Sequence, residues 1–157
     1  MALCPVILLA DRSRPNIEAI ASELQSGLAD VVTFLPEEAD QISHATLAIT
    51  IRGDGTLINQ GRILSAHGIP LVGVNSGRLG FLTKFDATSL IEHRKTIFTG
   101  VAPTMDVMLL DVTVDDNPPA IAMNEAMIAA GSPFRILELG LSINGIPAPT
   151  LRGDGII

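Results

Sequence analysis

The most constraining feature of this sequence is the alternation of short apolar runs with helical patterns over residues 1–100. Helical spacing of apolar residues begins at Pro15 and recurs within Leu57–Ala66 and Ala87–Phe98. Strands that alternate with helices form a parallel sheet covered on both faces, which predicts an α/β fold class. The runs with the composition of buried strands are Val6–Ala10, Val31–Leu35, Leu47–Ile51 and Leu71–Val74.

A different pattern follows residue 100. Apolar stretches separated only by turns predict antiparallel strands, and Asn144-Gly145 is a strong hairpin signal because both residues tolerate positive φ. We therefore expect an α/β domain over residues 1–100 and the start of an antiparallel β-rich domain over 101–157, with the boundary near Gly100–Thr104. The predicted strands are Val107–Val114, Ile121–Ala130 and Ile136–Ile143.

Composition excludes several classes of protein. A chain with 47% hydrophobic and 17% charged residues is not disordered. Its net charge of −7 and its lack of Trp and Tyr argue against a nucleic-acid partner. The single cysteine, Cys4, and the absence of an apolar run of about 20 residues predict a cytoplasmic protein without a membrane partner. The sequence contains no His/Cys cluster with the spacing of metal ligands, so we predict no protein-held metal site.

The segment Gly53-Asp54-Gly55-Thr56 directly follows the third predicted strand. Ligands of open α/β sheets bind at the carboxyl ends of strands, where glycines and a helix N-terminus can approach an anion. A carboxylate there would repel a phosphate unless a metal ion or a hydroxyl offsets its charge. The alternative is a simple strand-to-helix turn with Asp54 as the N-cap, and the four residues by themselves favour it.

Two further segments could carry chemistry. The segment Gly73–Phe81 follows the fourth strand but does not fit the dinucleotide fingerprint, and the sequence contains no P-loop motif, so this segment could be a plain glycine-rich turn. Two loops after adjacent strands nevertheless fit a crevice at a topological switch point. The pair Asn124-Glu125 interrupts an apolar run, and a buried Glu needs partners from a ligand or from neighbouring backbone; both interpretations stay open.

Taken together, these segments resemble the NAD kinase family. Its Gly-Asp-Gly-Thr loop is matched by Gly53–Thr56, and its Asn-x-Gly-x-Leu-Gly-Phe-Leu-Thr stretch is matched by Asn75–Thr83. Its Asn-Glu pair is matched by Asn124-Glu125, and the spacing onward to Arg135 and to Arg152–Gly155 fits. The resemblance covers essentially the whole chain and implies a Rossmann-like N-terminal domain followed by a β-rich domain, as in the NAD kinase/diacylglycerol kinase-like fold.

The resemblance implies transfer of the γ-phosphate of ATP, or of a phosphate from polyphosphate, to the 2′-hydroxyl of the adenosine ribose of NAD, which yields NADP. Asp54 would be the catalytic general base. NAD and ATP would be the substrates, Mg²⁺ would arrive with ATP, and the full-length protein would be a homodimer or homotetramer.

The resemblance also implies roles for other residues. Phe81 would pack on the adenine, Asn124 and Glu125 would hold ribose or adenine groups, and Asp154 would contact the nicotinamide end. The implied substrate-binding residues are Gly55, Phe81, Asn124, Glu125, Arg135, Arg152 and Asp154, the two arginines facing phosphates or a neighbouring subunit's ligand. The implied phosphate-loop residues are Gly53, Thr56, Asn75, Gly77 and Gly80.

The sequence departs from the family pattern in three places. Arg52 stands where the family usually has a further glycine, so its side chain would either clash with a phosphate or point into solvent. Asn59 stands where a basic residue is expected, and the sequence ends at Ile157, before the family's Thr-Pro-Thr-Gly-Ser-Thr-Ala-Tyr stretch. We therefore expect the 157-residue chain to be inactive alone. The alternatives are a non-catalytic nucleotide-binding or regulatory protein and a lipid or sugar kinase with the same loop.

Overall fold

The computed structural model of the chain describes residues 2–77 and 80–157, and of Ala39 and Asp40 it describes the backbone only. Arg78 and Leu79, which belong to the second loop, lie outside the described residues. The chain forms two compact units, Met1–Met108 and Leu109–Ile157, and each is described by itself.

The first unit is built on a parallel sheet of four strands in the order β2-β1-β3-β4. The strands are β1 Cys4–Leu9, β2 Val32–Leu35, β3 Leu47–Ile51 and β4 Leu71–Val74. The helices are α1 Pro15–Gly27, α2 Ala39–Ile42, α3 Asp54–Leu64, α4 Ala87–Glu92 and α5 Arg94–Phe98, with a 3₁₀ turn at Ser65–His67. No helix in the described part of the chain has the length and apolarity needed to cross a membrane.

Alternation of side chains along the strands gives the first unit two cores. Val6 and Leu8 of β1 lie in the larger core with the buried faces of α1 and α4, whereas Ile7 points to the other face and packs with Leu64 of α3. All of these side chains are nearly inaccessible to solvent. The prediction of an α/β sheet covered on both faces is confirmed.

The helix predicted within Ala87–Phe98 is two short helices. Asp86 begins α4 with a capping box, in which its carboxylate accepts a hydrogen bond from the Ser89 N–H and Ser89 Oγ accepts one from the Asp86 N–H. His93 then has φ −91° and ψ 6°, outside helical values, and serves as the C-cap of α4 and the N-cap of α5.

The second unit contains only two-stranded antiparallel sheets, which pair β5 with β6, β7 with β12, β8 with β11 and β9 with β10. Asn144 (φ 52°) and Gly145 (φ 79°) form the turn between β9 and β10, which confirms the predicted hairpin. The strands are β5 Leu110–Val112, β6 Ala120–Ala122, β7 Ile128–Ala129, β8 Leu137–Leu139, β9 Ser142–Ile143, β10 Ile146–Pro147, β11 Leu151–Gly153 and β12 Gly155–Ile156.

The predicted lengths of the three strands in this unit are wrong. Within Val107–Val114, only Leu110–Val112 forms a strand. The stretch Ile121–Ala130 divides into β6 and β7, and Ile136–Ile143 divides into β8 and β9. The reason is a change of partner: β6 pairs with β5 while β7 pairs with β12, so the chain must leave one ladder before it joins the next. The same change separates β8 from β9.

Candidate functional site

Asp54 lies at the carboxyl edge of the parallel sheet, three residues after the end of β3. Gly53 is the N-cap of α3 and Asp54 is the first helical residue, so the interpretation of Asp54 as the N-cap is wrong. Its carboxylate instead accepts hydrogen bonds from the segment 81–83. The loops after β3 and β4 are therefore joined through one side chain.

The Asp54 carboxylate accepts four hydrogen bonds from the described residues, unequally divided between its oxygens. Oδ1 accepts from the N–H of Leu82 at 3.1 Å, from the N–H of Thr83 at 3.0 Å and from the Thr83 hydroxyl at 3.1 Å. Among the residues that the structure describes, Oδ2 accepts from the N–H of Phe81 alone, at 2.8 Å. A carboxylate oxygen has two lone pairs, so Oδ2 retains room for one more donor.

These donors lower the pKa of Asp54 below its ordinary value. The backbone hydrogen bond from Thr83 is the largest cause, and those from Phe81 and Leu82 and from the Thr83 hydroxyl act in the same direction against desolvation. The carboxylate is consequently ionised at neutral pH. Such a group is a good hydrogen-bond acceptor and a weak proton acceptor.

Two glycines make this arrangement possible. A Cβ on Gly80 would collide with Oδ1 of Asp54 and would lie 2.6 Å from the Thr83 hydroxyl oxygen. A Cβ on Gly73 of β4 would lie 2.7 Å from Cγ2 of Thr83. Gly53, Gly55 and Gly77 differ, because a Cβ there meets no atom of the described residues within 4 Å. Their backbone faces open space that a ligand can reach.

Asn75 shapes the start of the second loop. It is buried at 7% exposure, its Oδ1 accepts a hydrogen bond from the N–H of Gly77 at 2.7 Å, and its own N–H donates to the Phe85 carbonyl at 2.7 Å. The amide oxygen thus closes a local turn of the kind that asparagine favours.

Phe81 stands out among the apolar side chains of this loop. The residue is 88% exposed, although its N–H donates a hydrogen bond to Asp54. An open aromatic surface beside an ionised carboxylate is a suitable platform for a flat heterocycle.

An open cleft of about 420 Å³ lies at the ends of β1 and β3, between which the strand order reverses. This is the topological switch point of the sheet. The second loop follows β4, one strand further along, so the prediction that both loops border the switch point is wrong. The cleft is lined by residues that include Asp11, Arg52, Gly55, Thr56 and Asn59.

Arg52 lies in this cleft rather than pointing away into solvent. Its Nη2 is 3.9 Å from Oδ2 of Asp11, and its side chain is 31% exposed. The pKa of Asp11 is lowered chiefly by the Ser13 hydroxyl, which donates to Oδ1 at 2.5 Å, and further by Arg14 and Arg52. Arg52 therefore places a cation over the cleft where the family usually has a glycine.

The remaining predicted residues belong to the second unit. Asn124 and Glu125 lie in the irregular segment between β6 and β7 and are exposed, so the prediction that they are buried within a strand is wrong. The cause is the change of strand partner there, in a unit whose residues 109–157 include no buried side chain.

The two arginines and Asp154 are also exposed. Arg135 precedes β8, and Arg152 lies on β11 opposite Glu138 of β8. Asp154 forms the bend between β11 and β12, where its carbonyl accepts a hydrogen bond from the Ala130 N–H at 2.7 Å.

Sequence reasoning missed Thr83 and Gly73 as parts of the site. Thr83 is fully buried and bonds Asp54 through both its hydroxyl and its N–H. Thr83 ends the motif stretch quoted above, and Gly73 is a glycine inside a buried strand, which by itself indicates a close approach of backbone or side chain.

The four-stranded parallel sheet, with an open cleft at its topological switch point, places the first unit in the α/β class of domains. The family model described as the ATP-NAD kinase N-terminal domain matches residues 11–102. The NAD kinase of Azoarcus sp. (strain BH72) is 37% identical over 151 residues, which cover 93% of this chain and 51% of the relative. The chain belongs to the NAD kinase family.

Solved structures show the same fold. The yeast NADH kinase complexed with NADH aligns with a TM-score of 0.73 at 18% identity, over 99% of this chain and 57% of that chain. The NAD kinase from Archaeoglobus fulgidus in complex with ATP aligns with a TM-score of 0.63 at 21% identity, over 98% of this chain and 59% of that chain. The chain spans about half the length of the curated relatives it matches.

Proposed function

We propose that this chain provides the catalytic carboxylate of an NAD kinase, which phosphorylates the 2′-hydroxyl of the adenosine ribose of NAD. The observation that carries the proposal is the Asp54 carboxylate at the sheet edge. Its Oδ2 accepts a single hydrogen bond from the residues that the structure describes and has room for a second. A ribose hydroxyl is a donor that this oxygen can accept. Membership of the family supplies the identity of the nucleotide.

In the proposed reaction, Oδ2 of Asp54 orients the attacking hydroxyl toward the γ-phosphate of ATP or the terminal phosphate of polyphosphate. A bond forms between the ribose oxygen and the transferred phosphorus, and the bond from that phosphorus to the bridging oxygen breaks, so ADP or the shortened polyphosphate leaves. The hydroxyl proton passes to Oδ2 of Asp54. Because hydrogen bonds lower the pKa of Asp54, orientation contributes more than proton removal in a loose transition state.

Other residues of the first unit fit supporting roles. The Phe81 ring would pack against the adenine, and the open backbone at Gly53 and Gly55 would lie against phosphates. Asn124, Glu125 and Asp154 remain proposals for the ribose, adenine and nicotinamide groups, since all three side chains are exposed.

Mg²⁺ belongs to this proposal as the companion of ATP. Across the described ranges, no group of three His, Cys, Asp or Glu side chains is placed to hold a metal ion, and Asp54 already accepts four hydrogen bonds. When bound with ATP, the ion would neutralise phosphate charge. Association of the full-length protein into a homodimer or homotetramer also stays a prediction.

The test is NADP formation by the reading frame extended to the length of the relatives. We expect Asp54→Asn to reduce the rate by about 100-fold or more, since the orienting acceptor is lost. Asp86→Asn is the matched control, because Asp86 is likewise a hydrogen-bonded carboxylate of lowered pKa but caps α4. NADP formation that is unchanged in Asp54→Asn would exclude the proposed role. The 157-residue chain, assayed alone, is expected to give no NADP.

Arg52 supports a second candidate, a nucleotide-binding protein without turnover. Its guanidinium lies over the cleft near Asp11, and Asn59 lines the same cleft where a basic residue is expected. This candidate predicts binding of NAD or ATP but no NADP formation by the extended protein, with or without Arg52→Gly. Recovery of activity in Arg52→Gly would instead identify Arg52 as an obstacle to phosphate.

A further inference from the structure

Thr83 has an unusual position beside the candidate catalytic group. It is fully buried, and both of its donors, the N–H at 3.0 Å and the hydroxyl at 3.1 Å, reach the same atom, Oδ1 of Asp54. The other donors to Asp54 are backbone N–H groups of Phe81 and Leu82. In the described part of the chain, Thr83 is thus the one residue that bonds Asp54 through its side chain.

A carboxylate needs such a partner because its terminal torsion has no sharp preference of its own. The χ2 angle of aspartate is broad, so its plane is set by the donors around it. Three donors on Oδ1 and one on Oδ2 fix that plane and leave the unfilled acceptor position on Oδ2. The hydroxyl is one of the three that hold Oδ1.

The position of Thr83 is in turn set by the sheet. Its Cγ2 lies against the backbone of Gly73 in β4, at a point where a Cβ on residue 73 would approach to 2.7 Å. Gly80 leaves the space into which the carboxylate and the hydroxyl fit. A continuous path of contacts therefore runs from a buried strand through Thr83 to the oxygen of Asp54.

We propose that Thr83 is the positioning residue of Asp54: its hydroxyl holds Oδ1, so that Oδ2 is the oxygen presented to the hydroxyl of the nucleotide. This inference rests on the proposed function for the identity of that nucleotide. It assigns Thr83 no contact with substrate, and it explains why the motif ends in a residue with both a hydroxyl and a methyl group.

Variants at Thr83 distinguish the contribution of its hydroxyl group from the contribution of its methyl group to packing. Thr83→Val keeps the shape and removes the hydroxyl, whereas Thr83→Ser keeps the hydroxyl and removes the methyl group. Thr50→Val is the matched control, because Thr50 is equally buried at 0% exposure but its hydroxyl has no partner in the described part of the chain. The first measurement is the titration of the Asp54 carboxyl carbon by NMR in the 157-residue chain without ligand.

We expect Thr83→Val to raise the pKa of Asp54 toward its ordinary value, because a donor to the ionised form is lost. Thr83→Ser and Thr50→Val should titrate like the parent chain. In a second measurement, made on the protein extended to the length of the relatives, NAD should bind about three- to tenfold more weakly to Thr83→Val, with affinity restored in Thr83→Ser. Thr83→Ala against Thr83→Ser provides the same comparison if the valine variant does not fold.

The proposal is overturned if Asp54 titrates identically in Thr83→Val and the parent chain, or if Thr83→Ser shifts it as much as Thr83→Val. An unchanged NAD affinity in Thr83→Val also contradicts it. Failure of the extended parent protein to bind NAD would count against the proposed function instead. The titration without ligand still decides the role of Thr83 in that case.

Discussion

The two units of this chain differ most in whether other elements pack against their strands and bury the side chains. In the first unit, β1 and β3 are sealed between helices, and Val6, Ile7, Ile49 and Ile51 are fully buried. In the second unit, eight short strands form isolated pairs, and none of residues 109–157 is buried. Both units are rich in apolar residues, so the difference shows that composition alone does not make a core. A core also needs a second layer to close over the sheet.

The largest expected effect of this difference is on amide hydrogen exchange. Amides of β1 and β3 open only with the first unit as a whole, whereas those of the isolated strand pairs are held by little tertiary packing. Exchange at Leu8 and Ile49 should be on the order of a thousandfold slower than at Leu139 and Ile143. Comparable protection in the two units, measured by NMR, would contradict the comparison.

Truncation of one apolar side chain in each unit tests the same contrast in free energy. Leu24→Ala removes a fully buried side chain from the main core and should lower the free energy of unfolding by about 2–5 kcal/mol. Ile143→Ala removes a side chain that is 62% exposed and should cost less than about 0.5 kcal/mol. Urea denaturation followed by helical circular dichroism measures the first unit, which holds Leu24, and NMR signals of β9 and β10 followed in the same urea series measure the second. Equal losses would show that Ile143 is covered in solution.

Replacing glycines by alanine compares how much space surrounds the backbone in the two units, measured as a loss of stability. Gly80→Ala forces a Cβ into the Asp54 carboxylate and should cost about 1–3 kcal/mol. Gly140→Ala in the second unit, and Gly77→Ala in the same loop as Gly80, meet open space and should change stability by no more than about 0.5 kcal/mol. Thermal unfolding of the three variants would reveal any reversal of this order.

The smallest expected effect is the change that acid causes in the free energy of unfolding of the first unit. Hydrogen bonds lower the pKa of Asp54 and Asp86 in the folded chain, so the unfolded chain binds these protons at higher pH. Their contribution to stability is present above the ordinary aspartate pKa of about 3.9 and is lost as the pH falls through the folded values.

Acid should therefore narrow the stability difference between the two units. In urea titrations between about pH 5 and pH 2.5, Asp54→Asn should show a shallower loss of stability than the parent chain. The control is Asp106→Asn, a change on an exposed side chain. If Asp54→Asn leaves the slope of unfolding free energy against pH unaltered, the hydrogen bonds to Asp54 do not favour the ionised carboxylate.

Sequence reasoning succeeded where local pattern and burial agree. The alternation that begins at Val6 and the helix that begins at Pro15 predicted the sheet and its covered faces, and Asn144-Gly145 predicted a hairpin. Reasoning failed at Ile121–Ala130, because an apolar run does not say where a strand changes partner. Because the break between β6 and β7 was not predicted, the exposed position of Glu125 was not predicted either.

At the candidate site, the sequence identified the loops but not how they meet. The role of Asp54 as an acceptor for residues 81–83 depends on contacts across more than two dozen positions of chain, which no local pattern encodes. Thr83 and Gly73 were missed for the same reason.

The bond pattern of Asp54 also acts as a non-covalent crosslink along the chain. It closes loops of 27 to 29 residues that contain all of α3 and β4. The entropy of closing a loop grows only with the logarithm of its length, at about 0.6 kcal/mol for each doubling. Insertions in the turn between His67 and Leu71 would therefore add little to the cost of assembling the site. The surface at that turn is free to vary in length while the carboxylate and its donors stay where they are.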